Sequence, residues 1–404
     1  MGSASSDFAF ESPQAALEAL LASIKPVVTE NVKTEVCAGR ILAEAVRADR
    51  DSPACDVSAM DGFAARVSDL GGADLPIVGE ARVGSAPLDL RPGTAIRIAT
   101  GAPIPTGADA VIRIEDANER NDRIRVSPER TAVLRAGTYI RHRGENARSQ
   151  ACIVEPGIEA SPPVAGAIAS IGALSVTVHR AVRVSLVITG DEIVGSEVSP
   201  QPWQVRDCNA PSMRALLGRR RWIECADPVR VADDARALQR VLESSLAHCD
   251  ALVLAGGASV GARDFAAAAI RAAGATVVFH RLPQRPGRPL LGAVLPDGRP
   301  ILALPGNPLS VLVTGRRFLV PALQRLAGCR AIDSVPAVAP ASRWQALPDL
   351  WWHRAVRLND RGLAEPVEVA SSGDIAGAAR SHGFIEIPPG DGGVGPWPYF
   401  GWNW

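Results

Sequence analysis

The chain has 404 residues, with 43 basic and 43 acidic side chains and a formal net charge of zero. That length predicts two to four domains, and the neutral balance argues against bulk nucleic-acid binding. No run approaches the ~18 uninterrupted apolar residues of a membrane span.

Taken in chain order, residues 12–24 carry helical apolar spacing, with Ser12 as N-cap and Pro13 in the first turn. The stretch before them lacks the basic start of a secretory signal. From about 75 to 155 short β-rich runs alternate with Gly, Pro and Asp turns, without helix-length periodicity. Ser161 and Pro162 open a short helix. Residues 181–328 then alternate strand and helix, which predicts a mostly parallel sheet covered on both faces. Beyond Gly328 the pattern is β-like, with WWHRAVRL and FIEIP as strands. The closing GPWPYFGWNW reads as a poor strand, because Pro lacks the N–H a ladder needs.

Three predicted strands of the α/β stretch end in distinctive loops: Thr189-Gly190-Asp191-Glu192, Gly256-Gly257-Ala258-Ser259-Val260-Gly261 followed by Asp264, and Pro305-Gly306-Asn307-Pro308. Loops at the carboxyl edge of an open sheet are where ligands bind. The glycine loop suits phosphate, although it matches neither GxGxxG nor a Walker loop; a Gly-rich turn without a ligand reads equally well from that loop alone. Asp191, Glu192 and Asp264 suit Mg²⁺ beside phosphate oxygens. N-capping is the competing use of Asp264 and of the pair Asp233 and Asp234. Arg281, Arg285 and Arg288 on a stiff Pro/Gly turn suit an oxyanion, yet only Lys25 and Lys33 are lysine among the 43 basic residues, so ordinary surface arginine remains open. The charged turns DVSAMDGF and RHRGEN complete the set. Seven cysteines without a CxxC pair exclude zinc-ribbon patterns and predict reduced thiols in the cytoplasm. The six histidines show no metal spacing, and no GxSxG elbow is present.

In order, Ser58-Ala59-Met60-Asp61-Gly62-Phe63, the run Ala99-Thr100-Gly101-Ala102-Pro103-Ile104-Pro105-Thr106-Gly107-Ala108-Asp109-Ala110-Val111, Arg143-Gly144-Glu145, the three loops and Pro286-Gly287-Arg288-Pro289 resemble the molybdopterin molybdenumtransferase family. This is the MoeA type, similar also to the E domain of gephyrin, and the resemblance runs from about residue 12 to 390. It implies α/β plus β architecture in a four-domain elongated subunit. Residues 1–56 and 148–180 would form a linking domain and 57–147 a β-rich insertion. Residues 181–329 would be a parallel-sheet molybdopterin-binding domain and 330–404 a C-terminal β-barrel. It implies a cytoplasmic homodimer with a cleft at the dimer interface. There adenylylated molybdopterin and molybdate react with Mg²⁺ to give molybdenum cofactor and AMP. A molybdopterin adenylyltransferase and client molybdoenzymes are the implied partners, with no nucleic acid and no membrane.

Residue by residue, the resemblance implies catalytic roles for Asp61, Glu192, Asp233 and Asp264, with Asp191, Glu192 and Asp264 toward the metal. Substrate contacts fall to Ser58, Thr100, Gly101, Arg143, Asn146, Thr189, Gly190, Asp191, Gly256, Gly257, Ser259, Gly261, Arg281, Arg285, Arg288, Pro305, Gly306 and Asn307. Three site loops depart from the family pattern. Asn146 stands where an aspartate is usual, Val57 where Asn is usual, and Arg206-Asp207-Cys208-Asn209 where Tyr-Asp-Thr-Asn is usual. Asparagine cannot act as a base or an anionic ligand. The alternative is therefore a catalytically weakened paralogue that carries molybdopterin or its cofactor to a molybdoenzyme. Arg281, Arg285 and Arg288 stand where the family usually has lysine and keep the charge, so the missing carboxylate is the departure that bears on turnover.

Overall fold

The computed structural model describes residues 8–71, 74–256, 265–332 and 334–404. The chain forms two compact units. One comprises Met1–Glu44, Pro156–Pro162 and Ser175–Trp404; the other comprises Ala45–Glu155 and Pro163–Leu174.

Helix α1 (Pro13–Leu21) starts where Ser12 Oγ accepts the Ala15 N–H at 3.1 Å. It is shorter than the 12–24 spacing suggested. It lays Ala16, Leu17 and Leu20 into the core of the first unit.

The second unit is built on a six-stranded sheet of β1 (Gly62–Ala65), β2 (Leu75–Ala81), β3 (Ala95–Ile98), β4 (Ala110–Arg113), β5 (Ala117–Arg120) and β6 (Arg123–Val126), in the order β4-β1-β3-β2-β6-β5. Only β2 and β3 run parallel. Strand alternation buries both faces: Phe63, Ala65 and Ile112 pack on one cluster, Ala64, Ile96 and Val111 on the other. Helix α2 (Pro128–Val133), capped by Ser127, interrupts the expected run of strands. Its six residues are too few for apolar periodicity to reveal.

The first unit centres on β7 (Val182–Thr189), β8 (Ile223–Cys225), β9 (Val229–Val231), β10 (Ala251–Ala255), β11 (Thr276–His280), β12 (Leu291–Val294) and β13 (Pro300–Leu304). Their order is β8-β7-β10-β13-β12-β11, and β9 extends the β8 side of β7. The strands from β8 to β13 in that order are parallel, as expected. The remaining edge is not: β12 is antiparallel to β13, and β11 to β12, so the sheet is mixed. Helices cover both faces. α3 (Asn209–Leu217) joins α1 on one face, and α4 (Ala235–Leu246) and α5 (Phe265–Ala272) lie on the other. Leu302 and Leu304 face the first cluster and Ile301 and Ala303 the second, which accounts for the unbroken apolar run. The closing helix is α6 (Pro308–Thr314), a π turn over Gly315–Leu319, and α7 (Val320–Leu326).

A second sheet in this unit joins β14 (Ala337–Val338), β15 (Trp351–Leu358), β16 (Ala364–Pro366), β17 (Gly383–Ile387) and β18 (Trp397–Gly401). The Trp-rich end is therefore a strand, against the sequence expectation. Pro398 is tolerated because β17 pairs only with residues 399–401 and β14 with 397–398. Past β14, Pro340 bridges Ala364 of β16, which itself pairs with β15. Gln284–Arg285 adds in parallel to Trp351–Trp352 and ties the two sheets together.

Candidate functional site

The loops at the carboxyl edge of β7, β10 and β13 open onto a cleft of about 1360 Å³. One wall holds Thr189, Gly190, Glu192, Asp233, Gly256, Pro305, Gly306 and Asn307; Arg285 and Arg288 enter from the Pro/Gly turn. β7 is the first strand in the chain to enter the sheet, with β8 on one side and β10 on the other. Loops leaving β7 and β10 therefore diverge and leave a crevice between them.

Short hydrogen bonds brace this edge. Thr189 Oγ1 donates to Asp233 Oδ1 at 2.6 Å, and the Asp233 N–H donates to Asp191 Oδ1 at 3.0 Å. Asp234 caps α4 through the Ala237 N–H at 2.7 Å, which leaves Asp233 to the cleft. Gly256 has φ +102°, and a Cβ there would stand 2.3 Å from the Thr189 carbonyl; the crossing of the two loops requires glycine. Asn209 Nδ2 donates to Gly306 O at 2.9 Å, and Asn307 Nδ2 to Ser372 Oγ at 2.8 Å. Asp207 is buried: it accepts from Ala210 N at 3.0 Å and pairs with Arg230 at 3.1 Å. It thus holds the entry to α3. Cys208 lines the cleft, and burial pushes its thiol pKa up.

The expected set is only partly gathered here. Gly257, Ser259, Gly261 and Asp264 lie outside the described residues. Asp191 and Arg281 are not among the cleft-lining residues. The Arg281 guanidinium lies 5.9 Å from the centre of the Phe8 ring, and that of Arg288 lies 4.9 Å from it. Among the described residues no three acidic, His or Cys side chains converge as a metal cage. Glu192 is the expected metal-side acid that faces the cleft, and Mg²⁺ commonly takes one or two carboxylates with phosphate oxygens. The described residues thus fit a metal that arrives with a phosphorylated ligand.

Sequence reasoning missed Arg354. Its guanidinium sits between the rings of Trp344 and Trp352, at 4.8 and 4.6 Å from their centres. Burial lowers its pKa, and its carboxylate neighbour among the described residues, Glu368, is 3.9 Å away and 89% exposed. A stacked arginine with so weak a counterion is ready for an anion. On β15 the inward neighbour His353 meets Glu386 at 2.9 Å, and Arg317 grips the same carboxylate at 2.8 Å, all three buried. Burial opposes the Glu386 charge, but His353 and Arg317 hold its carboxyl far below the ordinary range. The WxR alternation in WWHRAVRL is the signal that places Trp352 and Arg354 on one face.

The second unit gathers its own loop cluster. Val57–Ser58 pairs with Ile140–Arg141, and the Gly101 N–H donates to Ser58 O at 2.8 Å. Asp61 accepts the Thr100 N–H at 2.6 Å, which holds its carboxyl below the usual range. Asp56 accepts the Arg143 N–H at 2.7 Å, and this bond lowers its pKa too. The Arg143 side chain reaches Asp51 at 2.6 Å. Asn146 Oδ1 accepts from Arg141 at 2.7 Å beside Glu145, which bonds the same arginine at 3.3 Å. Gly62 is obligatory, since a Cβ would lie 1.9 Å from the Ile112 carbonyl. Ser58, Asp61, Thr100, Gly101, Arg143 and Asn146, scattered along the sequence from 58 to 146, are brought together here.

Comparison with known proteins places the chain among relatives. Residues 11–172 match the MoeA N-terminal region (domain I and II), and residues 185–325 match a probable molybdopterin binding domain. The molybdopterin molybdenumtransferase of Synechococcus elongatus is 34% identical over 93% of this chain and 95% of its own length. That of Haemophilus influenzae is 29% identical over 91% and 92%. A crystal structure of a molybdopterin biosynthesis MoeA protein from Pyrococcus horikoshii is 26% identical, with a TM-score of 0.76 over 96% of both chains. A second, 23% identical over 96% and 98%, has a TM-score of 0.80 and shares the fold. Among the described residues no helix is long and apolar enough to cross a membrane.

Proposed function

The chain belongs to the molybdopterin molybdenumtransferase family, and from that premise we propose that it inserts molybdate into adenylylated molybdopterin and releases AMP. The observation that carries this reading is the convergence of Thr189, Gly190, Glu192, Gly256, Arg285–Pro289 and Pro305–Asn307 on one cleft. Such an edge offers loop backbone and cations to a phosphorylated substrate. Arg285, Arg288 and Arg354 counter its negative charge and that of the molybdate. Thr189 and Asp233, locked to each other, fix the rim that orients the ligand. Glu192 and Asp264 would hold Mg²⁺ together with substrate phosphate oxygens, and the ion would supply Lewis-acid charge at the phosphoanhydride. Asp61 is a further catalytic residue and Arg143 a further substrate-binding one. The enzyme works as a cytoplasmic homodimer in four domains, a division supported for residues 330–404 by the ring of strand pairings from β15 through β18 and β14 back to β16.

The test is direct. Purified chain given adenylylated molybdopterin, Mg²⁺ and molybdate releases AMP and yields active cofactor. Tight binding without molybdate-dependent AMP release overturns the transferase reading. That outcome favours a second reading, a paralogue that carries the cofactor to a molybdoenzyme. Asn146 motivates it, because an amide held by Arg141 has no anionic oxygen to offer.

A further inference from the structure

Trp203 is 73% exposed, the most exposed aromatic side chain among the large hydrophobics of the described surface. It stands on residues 195–204, an excursion between Ile193–Val194 and Val205–Arg206, which pair in parallel. Ile193, Val205 and Arg206 line the cleft, so the chain leaves and re-enters the cleft wall at the two ends of the excursion. These ends are braced. Val205 N donates to Glu192 O at 2.8 Å and Asp207 N to Val194 O at 2.9 Å. At the tip, Gln204 N donates to Gln201 O at 2.9 Å, and Gln201 N to Gln204 Oε1 at 3.1 Å.

A braced turn therefore presents an indole to water, with Val198 and Val205 also exposed beside it in sequence. An indole left in water forfeits the gain of burial. Two residues along the chain the cleft begins, and it carries Arg206, Arg285 and Arg288. A flat apolar face next to cations matches a ligand whose planar ring is joined to phosphate: the ring stacks while the phosphate meets the arginines. We propose that Trp203 is the stacking platform for the heteroaromatic ring, adenine or pterin, of the phosphorylated substrate. This rests on the transferase reading above.

The test uses the full chain and three probes by calorimetry: AMP, a free pterin and ribose 5-phosphate, which keeps the phosphate and lacks a ring. Trp203→Ala weakens binding of the stacked ring compound by about tenfold or more, in line with base–aromatic stacking. It leaves ribose 5-phosphate unchanged, and Trp203→Phe restores most of the loss. Whichever of AMP and pterin loses affinity identifies the ring. Three results overturn the proposal: both ring compounds bind the alanine variant as before, ribose 5-phosphate weakens equally, or light scattering shows that the variant loses affinity by changing its oligomeric state. If the wild type binds neither ring compound and releases no AMP from the adenylylated substrate, the transferase reading falls as well. If the wild type does both and Trp203→Ala binds normally, only this proposal falls.

Discussion

The two charged regions hold their carboxylates by opposite means. Asp61 stays exposed and Asp56 half-buried, and backbone N–H groups of Thr100 and Arg143 fix them. Behind the cleft wall Glu386 is buried with Arg317 and His353, and at the amino end of β10 Asp250 is buried against the half-buried Arg180. Exposed acids keep their water and remain available to a ligand, while buried ones are committed to partners. The first arrangement spends little folding energy on position. The second makes the β15 wall, with Trp352 and Arg354 on it, dependent on the integrity of ion pairs.

That contrast is broken most strongly at Glu386. Glu386→Gln leaves the Arg317 cation buried without a full counterion, and is expected to cost about 3–5 kcal/mol of stability. Urea denaturation measures it, and a loss below about 1 kcal/mol would show that the trio is not a pinning site. At the exposed cluster the effect moves from folding to turnover. Asp61→Ala lowers AMP release by about a hundredfold, the loss seen when one positioned charge-stabilising group is removed, with an unchanged melting temperature. Equal activity would remove Asp61 from the reaction.

Asp250 sharpens the comparison through pH. Burial raises its pKa, but hydrogen bonds from Arg180 and Arg183 outweigh burial and bring it to about 2. A depressed carboxylate stabilises fully above its unfolded pKa, about 3.9, and that contribution, about 2 kcal/mol, is lost as pH falls through the folded value. The stability gap between wild type and Asp250→Asn is therefore expected to shrink between pH 4 and pH 2 on the scale set by those values; a constant gap would refute the assignment. The smallest effect is at Asn146. An aspartate accepts the same Arg141 bond, so Asn146→Asp fits the loop and is expected to raise the AMP-release rate by roughly tenfold, the weight of one charge-assisted contact. No gain would mean that the missing carboxylate does not limit this chain.

Much of both regions was legible because their loops tolerate few residues. Gly62 and Gly256 are required by backbone crossings, and such positions leave fixed strings such as SAMDG in the sequence. The β7, β10 and β13 strands were legible from continuous apolar runs. What escaped was set by distant partners. β12 contains Gly292, a weak strand former, which is there because a Cβ would meet the Phe279 ring at 2.5 Å. Arg354 gains its character from Trp344, well before it in sequence and off its strand. Arg281 looked like a companion of Arg285 and Arg288, yet among the described residues it meets Phe8 and does not line the cleft. One-dimensional spacing does not encode on which side of a turn a cation falls.

The split edge of the mixed sheet gives the cleft a reporter of its own. β7 is flanked on one side by β8 along residues 182–184 and by the separate three-residue β9 along 187–189. β9 leads within two residues to Asp233, and Arg230 on it pairs with Asp207. A strand so short and exposed opens readily, so its amide hydrogens exchange with solvent well before those of β10. An occupant that engages Asp233 slows that exchange whether or not it is turned over. Occupancy of the cleft and chemistry within it thereby become separately observable in one molecule.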